Sequence, residues 1–424
     1  SVSTPRDRWR WTEPSVWTER MLTALEQGVK GGQWFRLFDK VFAERNLTAA
    51  YYDVARNDGA SGVDHVSVEA FGERLMQEIP KLSEHLRTGS YKPKAIRRVH
   101  IPKPGTNETR PLGIPTVRDR VVQGAVVHVI EPIFEKDFAE HSYGFRPGRG
   151  CKDALRQVVG LLEEGHHHVV DADLKGYFDT IPHEGLMKRL REKISDGPTL
   201  RLIESFLTAN ILDDMKEWTP DAGAPQGAVL SPLLSNVYLD PLDHRMANAG
   251  FRMVRYADDF VILCKRPEKA HAALELVRQW VAENGLTLHP TKTKIVDVRT
   301  EGFDFLGYHF LAGDKWVREK SRQKIKDTIR AKTKRTSGRS LKCVIASLNM
   351  TLRGWFEYFK HAHRFEHERL DRFIRVRLRN MLRKHEKRRG FAKGWDHHRW
   401  PNAFFAKQGL FILASARALA CQSS

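Results

Sequence analysis

The sequence predicts an α+β fold: a central antiparallel sheet with helical segments before and after it. Three observations predict this. The stretch Phe251-Arg-Met-Val-Arg-Tyr-Ala-Asp-Asp-Phe-Val-Ile-Leu-Cys264 has two apolar, strand-forming arms that meet at polar residues, the pattern of a hairpin. Residues 1 to about 85 carry helical spacing instead. The last quarter is again helical, and strongly basic. No internal repeat or low-complexity linker interrupts the chain.

Composition bounds the function. The 424 residues are 41 % hydrophobic and 29 % charged, a globular balance with length for two or three cores. No run of about 18 apolar residues occurs, so no membrane partner is expected. The start, Ser1 to Arg10, lacks an apolar signal core and an initiator Met, as after a processed or trimmed end. Cys151, Cys264, Cys343 and Cys421 are too far apart for a zinc or redox pair and suit a reducing cytoplasm. A bacterial-type cytosol or nucleoid is the expected location.

Net charge is +19, and its distribution is uneven. Residues 315–424 hold 29 Lys and Arg against 8 Asp and Glu; residues 1–314 hold 42 against 44. Self-repulsion on that scale points to a polyanionic partner rather than a merely solvated tail, because Trp, Phe and Tyr are interleaved with the cations.

In chain order, Trp9, Trp11, Trp17 and Trp34 read as packing residues. Turn residues at 57–64 precede helical spacing at Val68, Phe71, Leu75, Ile79, Leu82 and Leu86. Lys94 to Lys103 alternates apolar and basic, Pro104-Gly-Thr-Asn-Glu turns, and Arg110 to Pro115 returns: a hairpin with Lys103 and Arg110 near its bend. Such cations suit a triphosphate, although this stretch alone favours ordinary solvent-facing charges. A helix follows from Asp119 to about Ile130. His141 to Gly150 is a Gly-rich loop whose Arg146 and Arg149 are candidate phosphate contacts. His166-His-His168 reads as structural, since three consecutive side chains converge poorly on one ion.

Val169 to Leu174 reads as a strand with Val170, Ala172 and Leu174 on one face and Asp171 and Asp173 on the other. Thr180 or Asp179 is placed to cap a helix near Pro182. Ala222 to Gly227 is a turn-rich loop presenting Gln226, and Ser231-Pro232 starts a helix burying Leu233, Leu234, Val237, Tyr238 and Leu242. A helix from Pro267 to Asn284 ends at Gly285. Strand character resumes over Leu286 to Val298, around Pro290-Thr-Lys-Thr-Lys294, and again over Gly302 to Phe310. Gly354 to Phe359 forms an aromatic node in the basic helical segment.

The adjacent Asp258 and Asp259 could be a simple turn tip. With Asp173 on a neighbouring strand, the three carboxylates can hold two Mg²⁺ ions about 3.5–4 Å apart, with Mn²⁺ as the alternative ion. That geometry serves in-line phosphoryl transfer.

Together, Tyr256-Ala-Asp-Asp259, Arg110-Pro-Leu-Gly-Ile-Pro115, Ser142-Tyr-Gly-Phe-Arg-Pro-Gly148, Asp173-Leu-Lys-Gly-Tyr-Phe-Asp179, Pro225-Gln-Gly227, Pro290-Thr-Lys-Thr-Lys294 and Phe305-Leu-Gly307 resemble the group II intron reverse transcriptase/maturase family. Seven motifs in order cover roughly residues 45–310. Gly354-Trp355 with Tyr358-Phe359 resembles the family's thumb, or maturase domain. The resemblance implies a right-hand polymerase: an N-terminal helical extension over 1–85, fingers over 86–165, a palm with an antiparallel sheet over 166–312 with part of the fingers interleaved, and a basic helical thumb over 313–424. The stretch from about 45 to 90 is implied to contact template and intron RNA.

The resemblance further implies that Asp173, Asp258 and Asp259 are catalytic metal ligands. Lys103 and Arg110 fall where fingers cations hold the incoming dNTP. Phe178 falls where an aromatic ring blocks a ribose 2′-hydroxyl, Gln226 beside the nascent base pair, and Lys292 at a lysine assisting the leaving pyrophosphate. Arg353, Trp355 and Tyr358 join Arg146 and Arg149 as candidate nucleic-acid contacts. The implied partners are an RNA template, a DNA or RNA primer, dNTPs and a group II intron RNA; no oligomeric state is assigned. Many relatives add a DNA-binding region and a Cys/His nuclease after the thumb. No clustered Cys follows here, so no endonuclease is expected, and priming is expected to rely on a nick or fork made elsewhere.

Two alternatives accompany the polymerase reading. One is an RNA-binding maturase with polymerization secondary or lost. The other is a domesticated relative serving DNA repair or defence.

Overall fold

The computed structural model describes residues 4–103 and 106–422, so Pro104 and Gly105 of the expected turn lie outside the described residues. The chain forms two compact units: residues 1–102 with 108–295, and residues 103–107 with 296–424. In chain order the strands are β1 (Ile96–Pro102), β2 (Thr109–Ile114), β3 (His168–Asp173), β4 (Ile211–Asp213), β5 (Lys216–Trp218), β6 (Arg252–Tyr256), β7 (Asp259–Cys264), β8 (Lys294–Asp297), β9 (Phe303–Phe305), β10 (Tyr308–Leu311) and β11 (Asp314–Val317).

The first unit is built round the helix Val117–Glu135, started by the Thr116 hydroxyl, which accepts from Asp119 N at 3.2 Å. This helix is buried on nearly every side, so it reads as continuous Val and Ile rather than as an amphipathic stripe. Helices Glu44–Asn57 and Leu75–Arg87 share its core. The segment expected to be helical from Ser67 is two helices, Val68–Glu73 and Leu75–Arg87, separated at Arg74. Trp17 is fully buried edge-on against Trp34, as packing residues should be.

The unit contains two sheets. One has strand order β2-β1-β4-β5. Its β1–β2 pair is antiparallel, and β4 joins β1 in parallel. The other has order β6-β7-β3-β8 and carries the acidic residues. Leu286 to Val298 is not one strand: a single bridge, Leu174–Leu288, precedes the Pro290 turn, and β8 begins only at Lys294. The expected cap near Pro182 also differs. Thr180 lies in a short helix, Tyr177–Thr180, and its hydroxyl donates back to the Gly176 and Tyr177 carbonyls, while Pro182 enters the next helix without a side-chain cap.

The second unit has a three-stranded antiparallel sheet, β11-β10-β9, and a helical core from Glu319–Lys332, Leu341–Phe359 and Arg364–His385. Gly302 to Phe310 is a tight hairpin rather than one strand. Leu306 and Gly307 take left-handed backbone angles, φ +48° and +86°, which reverse the chain and stack Phe303 on Phe310 at 5.1 Å. Tyr358 and Tyr308 fix the hairpin: the Tyr358 hydroxyl donates to Leu306 O and the Tyr308 hydroxyl to Tyr358 O, each at 2.5 Å.

Among the described residues no helix is long and apolar enough to cross a membrane. The helix Leu413–Gln422 is held by Asp371, whose carboxylate accepts from Leu413 N at 3.0 Å and Ala414 N at 2.9 Å. Asp371→Ala leaves one buried and one partly buried donor unpaired. It should cost about 1–2 kcal/mol, read as a lower midpoint in chemical denaturation of the full chain.

Candidate active site

The antiparallel register of β3 with β7 sets Asp173 directly opposite Asp259. Residues opposite each other in such a pair project to the same face, so both carboxylates share one side of the sheet. The inner face of β3, Val170 and Ala172, is buried in the core. β6 pairs with β7 up to Tyr256–Asp259, leaving Ala257 and Asp258 as a two-residue turn. Asp258 therefore stands on the turn adjoining the Asp173–Asp259 pair.

The turn is tight. Ala257 has φ +57°, a region that costs a residue with a β-carbon of the order of 1 kcal/mol. The backbone of Gly144 backs onto it so closely that a Cβ there would lie 2.3 Å from Ala257 N. Burial and the negative charge of Asp173 push the Asp258 carboxyl up from its ordinary value, while its own backbone N–H and Arg255 pull it back. Among the described residues no three His, Cys, Asp or Glu side chains form a ready-made ion cage. The three acids are instead sheet neighbours, all with oxygen donors, two of them already within electrostatic reach. That donor set fits a hard divalent cation such as Mg²⁺.

A cleft of about 400 Å³ lies in the same unit. Phe178, Asp179 and Gln226 line it, with Pro111 and Gly113 of β2 and Arg98 stacked on Trp218 at 5.1 Å. The loop Ala222–Gly227 forms its floor and is tied at both ends. Ala224 N donates to Phe178 O at 2.7 Å, and Gly113 N donates to Gln226 O at 2.7 Å. Gly223 and Gly227 have φ +94° and +97°, and a Cβ on either would strike backbone within 3 Å. Hence two glycines are required where the loop passes Phe178 and β2.

The remaining sequence candidates are spread more widely. Lys292 is exposed, three residues after His289, whose N–H donates to Asp173 O at 2.7 Å. Arg110 is exposed on β2, next to the cleft residue Pro111. Lys103 groups with the second unit. Arg146 is buried, bidentate to Glu135 at 2.9 and 3.1 Å and donating to Ala139 O and Ser142 O, so it clamps its own loop. Arg149 is half-buried over Tyr143. In the second unit Arg353 is exposed, stacked on Phe411 at 4.7 Å. Trp355 packs on Phe359, and Tyr358 is engaged by the β9–β10 hairpin. His166 is buried with its ring nitrogen 3.0 Å from Leu161 O, a structural histidine.

The sequence reading passed over a set of buried polar residues behind the acids. Tyr177, fully enclosed, donates to Ser235 O at 2.8 Å. Arg255 and Asp243 form an ion pair with 0 % and 1 % of their side chains exposed. An arginine in a strand, next to a turn, gives no sign in the sequence that it points inward.

A right-hand palm, with paired acids on a sheet and a turn, defines the class of nucleic-acid polymerases. Comparison agrees. The family described as "Reverse transcriptase (RNA-dependent DNA polymerase)" matches residues 101–310, and "Group II intron, maturase-specific domain" matches residues 322–400. Protein YkfC of Escherichia coli (strain K12) is 33 % identical over 342 residues, 72 % of this chain and 86 % of YkfC. The group II intron-encoded protein LtrA of Lactococcus lactis subsp. cremoris is 39 % identical over 196 residues, 46 % of this chain but only 32 % of LtrA. A solved chain described as "Partial Cas6-RT-Cas1--Cas2 complex" is 27 % identical with TM-score 0.38, covering 58 % of this chain and 41 % of that one. The chain belongs to the group II intron reverse transcriptase/maturase family, with a polymerase domain followed by a maturase-specific domain.

The charge arrangement predicts a stability effect. The folded state holds the Asp258 proton more tightly than the unfolded chain, so ionised Asp258 lowers stability above its folded pKa, and this cost fades as pH falls. Asp258→Asn should therefore raise Tm at pH 7 in divalent-free buffer, by roughly 1–3 °C, with the gain shrinking toward pH 4. Added Mg²⁺ should raise Tm of the unaltered protein more than that of the variant. Differential scanning calorimetry checks both.

Proposed function

We propose that this protein is an RNA-directed DNA polymerase that extends a DNA or RNA primer along an RNA template with dNTPs, and that it also binds a group II intron RNA as a splicing maturase. The observation that carries the first part is the Asp173–Asp259 register with Asp258 on the adjoining turn. Asp173, Asp258 and Asp259 would hold the divalent metal. A divalent metal held there would supply Lewis acidity to the primer 3′-hydroxyl and to the departing pyrophosphate.

The other residues bind, exclude and orient. Phe178, its backbone fixed by Ala224, sets a ring where a ribose 2′-hydroxyl would sit, so a deoxyribose is favoured. Gln226 presents its amide to the nascent base pair from a loop tied to β2. Arg110 and Lys103 supply cations to the triphosphate, Arg through its planar fork. Lys292 offers a proton donor for the leaving pyrophosphate. Exposed Arg353 and half-buried Arg149 contact the nucleic acid. Arg146, Trp355 and Tyr358 build the supports behind them.

The maturase part rests on the match over 322–400 and on the 29 Lys and Arg of residues 315–424. Cations on phosphates release counterions, so RNA affinity should fall steeply between 50 and 200 mM salt.

Primer extension on an RNA template tests the polymerase reading. Asp258→Ala should lower dNTP incorporation by at least about 10²–10³-fold, with template affinity retained. Phe178→Ala should narrow the dNTP-over-rNTP ratio of kcat/KM by about 10-fold or more. RNA binding without any extension by the unaltered protein would remove the reading. A splicing assay with Asp258→Ala separates the two roles: a maturase keeps splicing when the acid is lost.

A further inference from the structure

Behind the acidic turn lies a polar network for which the polymerase reading alone gives no use. Arg255 Nε donates to Asp243 Oδ1 at 2.7 Å and Nη2 to Asp243 Oδ2 at 2.6 Å. Both side chains are sealed from solvent. A buried ion pair is a poor way to gain stability, because desolvation offsets most of the attraction and apolar side chains of similar volume serve as well. The pair therefore calls for a positional reason, and the third guanidinium nitrogen provides it. Arg255 Nη1 donates to Ala257 O at 2.7 Å and to Asn236 Oδ1 at 3.0 Å.

Ala257 O belongs to the central peptide of the two-residue turn. The orientation of that peptide distinguishes the two common hairpin turns, I′ and II′, and it sets where the next residue points. Here the next residue is Asp258. Ala257 is left-handed and Asp258 is not, so one orientation has been selected, at a backbone cost. A donor fixed on Ala257 O selects it. The far side of the turn is closed by Gly144, and Asn236 Nδ2 donates to Gly144 O at 2.9 Å while its Oδ1 accepts from Arg255. Asn236 and Asp243 lie on one helix, Ser231–Asn248, at the seven-residue spacing that places both on one face.

We propose that Arg255 is a positioning residue: held by Asp243 and Asn236, its guanidinium locks the Ala257–Asp258 peptide so that the Asp258 carboxylate is presented beside Asp173 and Asp259 for metal. This deepens the polymerase reading and rests on it for its catalytic meaning, but its metal readout stands apart from activity. Arg255→Lys keeps the charge beside Asp243 and loses the fork. The paired change Arg255→Met with Asp243→Leu removes the ion pair without leaving a lone buried charge.

Both proteins, as full chains, are titrated with Mn²⁺ by electron paramagnetic resonance and assayed for single-nucleotide addition. We expect Mn²⁺ affinity to fall about 10-fold or more in each, kcat to fall by a similar factor or more, and KM for primer–template to stay within about twofold. Asn236→Ala should move the same quantities less. Unchanged Mn²⁺ affinity in folded Arg255→Lys overturns the proposal, whatever the paired variant does. Should Arg255→Lys unfold, unchanged affinity in Asn236→Ala overturns it equally. Failure of the unaltered protein to extend a primer strikes the polymerase reading instead and leaves the Mn²⁺ comparison decisive for the positioning.

Discussion

The pairing of β3 with β7 places two carboxylates side by side, and much of the first unit compensates for that single fact. Like charges opposite one another on a sheet weaken the pair that carries them. A third acid on the adjoining turn adds to the repulsion. The sheet tolerates this because its other face is committed: Val170, Ala172, Phe260 and Ile262 are buried in one continuous core, and a one-residue slip of β3 would turn Asp173 into it. Register is thus dictated by apolar burial, and the acids accept the places that register assigns.

The glycines, the buried arginines and the tied loops answer the same constraint. Arg146 and Arg255 both turn inward, one to Glu135 and one to Asp243. They serve shape rather than substrate. The second unit shows the opposite economy. Its core is modest, and its basic residues stand largely at the surface, as on exposed Arg353.

Much of this was legible in the sequence. The strand ending at Asp173 and the hairpin at Asp258 announce themselves by alternation and by local turn residues, and both formed. The helix from Ser231 buries the five apolar residues its spacing selects. Other features were not legible, for physical reasons. The break at Leu306-Gly307 depends on left-handed backbone at a leucine, which no periodicity reveals. The contacts of Arg255 with Asp243 and Asn236 join a strand to a helix across 12 and 19 residues, so only the fold brings them together. Thr180 and Arg146 have the right chemistry for a cap and for a phosphate, but nearby backbone carbonyls took the first and Glu135 with two carbonyls took the second.

The loop Ala222–Gly227 is bonded at one end to Phe178 and at the other to β2. Short, glycine-bent and doubly tethered, it behaves as a strut. Through these two backbone bonds a tilt of the β1–β2 hairpin would reach the main chain at Phe178. On the proposed reading, choice of sugar and entry of the nucleotide would then share one mechanical path.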